Sequence, residues 1–105
     1  MRRILIVEDE AIIAMNEATM LQRHGYDVVT ASSGREAVEA AAADQDIDLI
    51  LMDIDLGPGM DGTEAARTIL SSRELPIVFL TGHAEREMVE RVKSITRYGY
   101  VLKSA

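Results

Sequence analysis

Short apolar runs alternate along the chain with longer segments that have helical spacing. The apolar runs are rich in Ile, Val and Leu, show no regular alternation with polar residues, and occupy residues 4–7, 28–31, 49–52, 77–80 and 100–102. Strands buried on both faces of a parallel sheet have continuous apolar runs, whereas strands with one solvent-exposed face alternate. The pattern therefore predicts five buried strands in a parallel sheet.

Helices are predicted between these strands. The first helix has one apolar face, made of Ala11, Ala14, Met15, Ala18 and Leu21. Gly25 is expected to end this helix, because glycine adopts the left-handed backbone of a helix terminus at little cost. Ser33-Gly34-Arg35-Glu36 has the form of a capping box and predicts a second helix that continues through Ala42.

The second half of the chain continues this alternation. Asp61 is expected to cap a third helix, whose apolar face is Ala65, Ala66, Ile69 and Leu70. A fourth helix is marked by Met88, Val89, Val92 and Ile95. Because strands joined by helical crossovers pair in parallel, the predicted fold is α/β, an open doubly wound parallel sheet with helices on both faces.

Composition narrows the class of protein. The chain has 105 residues, enough for one domain over residues 1–105, and its 48% hydrophobic content argues against disorder. It contains no cysteine and no apolar run approaching about 18 residues, so we expect no membrane span and a cytoplasmic location. Its 18 acidic residues outnumber 11 Lys and Arg and give a net charge of −7, which argues against direct binding to nucleic acid.

Residues able to take part in chemistry follow four of the five predicted strands. Glu8 and Asp9 follow the first strand, Asp53 the third, Thr81 the fourth and Lys103 the fifth. The carboxyl ends of parallel strands meet at one edge of the sheet, and open α/β sheets bind ligands there. We therefore expect three carboxylates, a hydroxyl and an ammonium group in one site.

Three carboxylates in one site repel one another, since a pair at about 4 Å costs roughly 4 kcal/mol at an effective dielectric of 20. Either one of them is protonated or a cation lies among them, and Mg²⁺ favours carboxylate, water and phosphate oxygens. In an alternative interpretation, Glu8 and Asp9 only stabilise the start of the first helix through its dipole. Asp53, placed at a polar edge by a buried strand, is the candidate nucleophile toward phosphorus, and Lys103 and Thr81 are candidates to contact phosphoryl oxygens.

The chain resembles the response-regulator receiver domain of two-component signalling over essentially its whole length. The resemblance rests on an ordered set of motifs, Glu8-Asp9, Asp53, Met60-Asp61-Gly62, Thr81-Gly82 and Tyr100-Val101-Leu102-Lys103. It implies a flavodoxin-like fold with five strands in the order 2-1-3-4-5. It also implies that Asp53 accepts a phosphoryl group from a phosphohistidine on a partner histidine kinase or phosphotransfer protein. The chain would then be a signalling module, not an enzyme, and would catalyse only its own phosphorylation and dephosphorylation.

The resemblance also implies roles for individual residues. The implied Mg²⁺ ligands are the side chains of Glu8, Asp9 and Asp53 and the backbone carbonyl of Asp55. Thr81 and Lys103 would contact the phosphoryl group. Thr81 would move toward it and Tyr100 would change rotamer, which would remodel the surface around the fourth helix and the fifth strand. Asp55 and His83 occupy positions that influence the lifetime of the phosphoryl group in this family.

The chain departs from the family pattern at three places. The loop after Asp53 is one residue longer than the commonest pattern, with Pro58 displaced, and Ser104 stands where proline usually follows the lysine. The chain ends two residues after Lys103, so the usual fifth helix is missing. We therefore expect either a trimmed domain or an apolar face beside the fifth strand that a homodimer or a partner chain covers.

Three alternative functions are weighed against the receiver. Asp53-Ile54-Asp55 resembles the first motif of haloacid-dehalogenase-like phosphatases, but Leu56-Gly57-Pro58 does not match that family and no acidic motif follows Lys103. A flavin-binding module would need a phosphate loop where Glu8-Asp9-Glu10 would repel phosphate. A degenerate receiver would keep the fold and act only as a docking module.

The histidine His24 is interpreted as a helix-end residue.

Overall fold

The computed structural model describes residues 2–53, 56, 59–80 and 90 of the chain. In this part of the chain the elements are β1 (Arg3–Val7), α1 (Ala11–Arg23), β2 (Asp27–Ala31), α2 (Gly34–Ala43), β3 (Ile47–Asp53), α3 (Gly62–Leu70) and β4 (Ile77–Leu80). The first three strands extend beyond the predicted apolar runs, because charged residues at their ends also join the ladder. The predicted fourth helix, the predicted strand at 100–102 and the chain end on which the expectation about the fifth helix rests lie outside the described residues.

The four described strands form one parallel sheet in the order β2-β1-β3-β4. This confirms the parallel sheet and agrees with the order implied by the resemblance as far as β4. The central strand β1 pairs with both β2 and β3, with Val7 opposite Ala31 on one side and Met52 on the other. The carboxyl ends of β1 and β3 therefore lie side by side.

Alternate residues of the strands face opposite sides of the sheet. Leu5, Val7, Ile50 and Met52 belong to a core that includes the buried faces of α2 and α3. Ile4, Ile6, Leu49 and Leu51 belong to a second core with Leu21 of α1. Each fully buried Leu or Ile contributes about 1.5–3 kcal/mol to folding. Helices thus cover both faces of the sheet, as the sequence predicts.

The buried face of α1 differs from the prediction. Ala14 and Leu21 are buried, but Ala11 is exposed and Met15 is 61% exposed, so the assignment of these two residues to the core face was wrong. The buried stripe includes Glu17 instead, at 3% exposure. Apolar residues occur on two adjacent stripes of this helix, and the buried stripe is the one that holds Ala14, Glu17 and Leu21.

Local sequence signals set the helix ends as predicted. After α1, the Tyr26 amide donates to the Leu21 carbonyl at 3.2 Å and the Gly25 amide to the Gln22 carbonyl at 3.0 Å. This is a Schellman motif, in which Gly25 adopts a φ of +90°. The C-cap residue is His24, which confirms its interpretation as a helix-end residue.

The N-termini of α2 and α3 are capped by side chains. The Ser33 hydroxyl accepts a hydrogen bond from the Glu36 amide at 3.1 Å. The Glu36 carboxylate in turn accepts from the amide and hydroxyl of Ser32, one residue before the usual capping-box partner. Asp61 caps α3 by accepting from the Glu64 amide at 2.8 Å. The second helix ends at Ala43, one residue beyond the prediction.

Two arginines join elements at the edge of the sheet where the strands begin. The Arg73 guanidinium donates to four backbone carbonyls, those of Ala41, Asp44, Gln45 and Ile47, at 2.9–3.2 Å. It thereby satisfies carbonyls at the end of α2 that have no partner within the helix. Arg3 donates to Asp27 at 2.7 Å and to Asp44 at 2.8 Å, and so links β1, β2 and the end of α2. Among the described residues, no helix is long and apolar enough to cross a membrane.

Candidate functional site

Three carboxylates converge where β1 and β3 end. Glu8 and Asp9 follow β1 directly, and Asp53 is the last residue of β3. Because these two strands are neighbours in register, one carboxylate oxygen from each of the three residues lies within 4.8 Å of the others. This is the convergence predicted from the order of strands and acidic residues in the sequence.

The three carboxylates differ in their contact with solvent. Glu8 is 4% exposed, Asp53 is partly buried and Asp9 is exposed. The Glu8 amide donates to the Ala31 carbonyl at 3.0 Å, which extends the pairing of β1 with β2 by one residue. Its carboxylate accepts from the Glu10 amide at 3.1 Å. Glu8 is therefore held by its backbone and its side chain, with its carboxyl group at the inner end of the site.

This environment perturbs the ionisation of Glu8. Burial raises the pKa of Glu8 to about 8, and the adjacent Asp9 and Asp53 act in the same direction. The hydrogen bond from the Glu10 amide opposes them, because it stabilises the carboxylate. Without a cation, this raised pKa favours a proton on Glu8 near neutral pH.

The alternative role of Glu8 and Asp9 as helix-start acids is not supported. The first helix begins at Ala11 after Glu10, and its first turn contains no acidic residue. The Glu10 side chain makes no capping hydrogen bond either. The carboxylates of Glu8 and Asp9 instead share a site with Asp53.

Several predicted site residues fall outside the described part of the chain. These are Asp55, Thr81, His83, Tyr100 and Lys103. The sheet register still bears on one of them, since Asp53 pairs with Leu80, which immediately precedes Thr81 in the sequence.

A cleft next to the carboxylates was not predicted from the sequence. It has a volume of about 350 Å³ and lies between the start of α1 and the end of β2. Its lining residues are Glu8, Asp9, Ala11, Ala14, Met15, Thr30, Ala31 and Ser32. The misassigned Ala11 and Met15 belong to its wall, so the only signal for it was an apolar stripe that the sequence assigned to the core.

The three carboxylates fit a hard divalent cation. Mg²⁺ binds oxygen ligands at about 2.0–2.1 Å in octahedral geometry, so ligand oxygens on opposite sides of the ion lie about 4 Å apart. The separation of up to 4.8 Å among these oxygens is close to that spacing. A divalent ion would also stabilise the ionised form of Glu8, whose pKa is raised chiefly by burial and further by its acidic neighbours.

The parallel α/β fold with an acidic site at the carboxyl ends of its strands is the architecture of a flavodoxin-like receiver module. Residues 4–105 match the response regulator receiver domain, and the chain belongs to this family. It is a receiver domain of two-component systems and therefore a signalling module. This membership does not support the phosphatase and flavin-binding alternatives.

Individual relatives agree with this assignment. The chain is 45% identical over 103 residues to the transcriptional regulatory protein PdtaR of Mycobacterium tuberculosis, covering 97% of this chain and 49% of PdtaR. The chain thus spans about half the length of this curated relative. Among solved structures, it is 36% identical to the N-terminal domain of a response regulator/sensory box/GGDEF protein from Carboxydothermus hydrogenoformans, with a TM-score of 0.86 and coverage of 93% and 96%. It is 28% identical to the response regulator TrrA of Thermotoga maritima in complex with Mg²⁺-BeF, with a TM-score of 0.81 and coverage of 90% and 99%.

Proposed function

We propose that the chain is a phosphoacceptor in which Asp53 takes a phosphoryl group from a phosphohistidine on a partner histidine kinase or phosphotransfer protein. The observation that carries this proposal is the convergence of Glu8, Asp9 and Asp53 within 4.8 Å at the ends of two adjacent strands. A single acidic residue there would be unremarkable for a surface. Three together, one of them almost fully buried, repel one another, and a divalent cation would relieve this repulsion and offer a site for a phosphoryl group.

Asp53 acts as the nucleophile in this proposal. One of its carboxylate oxygens attacks phosphorus, a new O–P bond forms, and the P–N bond to the histidine of the donor breaks, with the electron pair left on the imidazole nitrogen. Little covalent chemistry is required beyond this, so the protein contributes mainly position and charge. The partly buried Asp53 at the end of a buried strand has both a fixed backbone and access from outside.

Glu8, Asp9 and Asp53 would hold Mg²⁺, with the backbone carbonyl of Asp55 as a further ligand. Bound there, Mg²⁺ would neutralise part of the charge that develops on the phosphoryl oxygens. The complex of the relative TrrA with Mg²⁺-BeF is consistent with this choice of metal. Glu8 would lose its proton on binding the ion, because a metal ligand must be deprotonated.

The remaining predicted roles are part of the same proposal. Lys103 would pair with a phosphoryl oxygen and Thr81 would donate to another, which the pairing of Asp53 with Leu80 supports for Thr81. Tyr100 would change rotamer and remodel the surface around a fourth helix and a fifth strand at 100–102. Asp55 and His83 would influence how long the phosphoryl group persists. Residues 1–105 would form one cytoplasmic domain with a five-stranded sheet.

The test is intact-mass measurement after incubation with Mg²⁺ and acetyl phosphate. We expect the wild-type chain to gain one phosphoryl mass only when Mg²⁺ is present. Asp53→Asn should abolish this gain, and Asp61→Asn should retain it, because Asp61 caps α3 and asparagine is an equally good cap. A chain that binds Mg²⁺ but gains no mass in pulse-quench experiments would contradict the phosphoacceptor role and favour the docking module.

A further inference from the structure

Gly34, the first residue of α2, lies unusually close to the backbone of Met60. A Cβ atom built on Gly34 would lie 2.8 Å from the Met60 carbonyl oxygen, 3.2 Å from Met60 Cγ and 3.3 Å from Ala65 Cβ. Real Cβ atoms essentially never approach another atom within 3.0 Å. Positive φ values in the described chain occur only at Gly25 and Gly59, so Gly34 is needed for space and not for its backbone conformation.

Met60 belongs to the segment that joins Asp53 to α3. This segment is anchored at Leu56, which is buried in the core beneath α2 and α3, and at Met60, which packs against the same core. The next residue, Asp61, caps α3 through the Glu64 amide. The close approach of Gly34 therefore fixes the far end of the segment that begins immediately after Asp53.

We propose that Gly34 is a positioning residue for phosphoryl transfer, which acts by fixing Met60 at the far end of the connection between Asp53 and α3. This inference rests on the proposed phosphoacceptor function. A side chain at position 34 must displace either α2 or the Met60 carbonyl by at least a few tenths of an ångström. The helix α2 holds Ala37 and Ala41 in the core, whereas Met60 is only partly buried, so we expect the displacement mainly at Met60. Displacements of this kind around a reacting group can slow a reaction tenfold or more.

Helix propensity alone predicts that the variant Gly34→Ala is more stable than wild type, whereas the contact with Met60 predicts that it is less stable. Alanine favours a helix more than glycine does, and the φ of Gly34 is one that alanine can adopt. Without the contact to Met60, Gly34→Ala would therefore raise stability and leave phosphorylation unchanged. The contact predicts lower stability and slower phosphorylation, so the two effects are distinguishable by direction.

The matched control is Gly25→Ala. Gly25 has a φ of +90° and no atom within 4 Å of a built Cβ, so alanine there strains the turn after α1 without displacing a neighbour. That turn precedes β2, at the edge of the sheet opposite the carboxylates. Gly25→Ala therefore reports the effect of destabilisation alone.

The experiment measures the rate of phosphorylation by acetyl phosphate at saturating Mg²⁺, followed by intact mass, together with backbone amide shifts. For Gly34→Ala we expect a rate about tenfold below wild type, with shift changes that include Met60 and Asp61. For Gly25→Ala we expect a wild-type rate and shift changes near residue 25. A wild-type rate for Gly34→Ala would overturn the inference, whether or not the shifts of Met60 and Asp61 change.

Two further arms complete the test. If the wild-type chain itself gains no phosphoryl mass, the proposed function fails, while the amide shifts of Met60 and Asp61 in Gly34→Ala still decide whether Gly34 positions the segment. If Gly34→Ala does not fold, Met60→Gly frees the same end of the segment from the other side. Phosphorylation of Met60→Gly at the wild-type rate would then count against the inference, and a rate about tenfold lower would support it.

Discussion

The carboxyl groups of Glu8 and Asp53 lie within 4.8 Å of each other at the ends of adjacent parallel strands. The arrangement is set by the backbone, because both residues continue paired strands and neither depends on a flexible loop. Without a cation, the pKa of Glu8 is raised to about 8, chiefly by burial and further by its acidic neighbours. The site is therefore held together at some cost to the stability of the fold.

The first prediction concerns stability without metal. The pKa of Glu8 is about 8 in the folded protein and about 4.5 when unfolded, so its contribution is fully present below pH 4.5 and is lost as the pH rises through 8. We expect the free energy of unfolding in EDTA to fall between pH 5 and pH 8. Because one proton is involved, the free energy of unfolding should fall by at most about 1.4 kcal/mol per pH unit. Urea denaturation at several pH values measures it.

The variant Glu8→Gln is the reference for this prediction, because glutamine is a neutral group of the same size. It should be more stable than wild type at pH 8 and nearly independent of pH in this window. Glu39→Gln, at an exposed position of α2, should keep the wild-type pH dependence. Equal slopes for wild type and Glu8→Gln would show that Glu8 does not hold the proton.

The second prediction concerns the pH dependence of Mg²⁺ binding. Since Glu8 must lose its proton to become a ligand, the apparent affinity for Mg²⁺ should rise with pH up to about 8 and then level off. The gain is at most about tenfold per pH unit for one released proton. Calorimetry in buffers of different ionisation enthalpy would count the protons released. An affinity equal at pH 6 and pH 8.5 would be inconsistent with Glu8 as a ligand.

The third prediction concerns Arg73. Lysine cannot reproduce the planar fork that reaches four carbonyls, so Arg73→Lys removes a donor from several of the carbonyls between Ala41 and Ile47. We expect a loss of about 2–3 kcal/mol in the free energy of unfolding by urea. The same substitution at Arg35, which is exposed and pairs only with Glu39 among the described residues, should cost less than about 0.5 kcal/mol. Similar losses at the two positions would mean that the carbonyl contacts contribute little.

The fourth prediction concerns the cap of α2. Ser33→Ala removes the acceptor for the Glu36 amide and should lower the free energy of unfolding by about 1 kcal/mol. Ser33→Asn should restore most of this loss, because asparagine caps as well as serine. Thermal melts of wild type, Ser33→Ala and Ser33→Asn at pH 7 test this order of stability. A melt of Ser33→Ala that matches wild type would show that this cap is dispensable.

Structural features that depend on local sequence patterns could be predicted from the sequence. The strands follow from apolar runs, and the caps at Ser33 and Asp61 follow from side chains that bond amides three residues away. The convergence of Glu8 and Asp9 with Asp53 was also predictable, since the topology of a parallel sheet alone brings those strand ends together. These features depend on the order of residues and not on details of packing.

Features that depend on packing were missed. The orientation of α1 was wrong at Ala11 and Met15, because two adjacent stripes both looked apolar and the buried one contains Glu17. The role of Arg73 could not be predicted, because its acceptors are backbone carbonyls that any sequence provides. The extent of Glu8 burial, and hence which carboxyl group holds the proton, likewise depends on the packed structure.

The contacts of Arg73 also bear on how long the folded domain persists. Each carbonyl it binds lies at least 26 residues earlier in the sequence, so these hydrogen bonds can form only after α2, β3 and α3 have come together. Interactions that form late in folding stabilise the native state more than the transition state for folding. We therefore expect the guanidinium of Arg73 to act chiefly on the rate of unfolding, and so on the lifetime of the domain more than on the speed with which the domain forms.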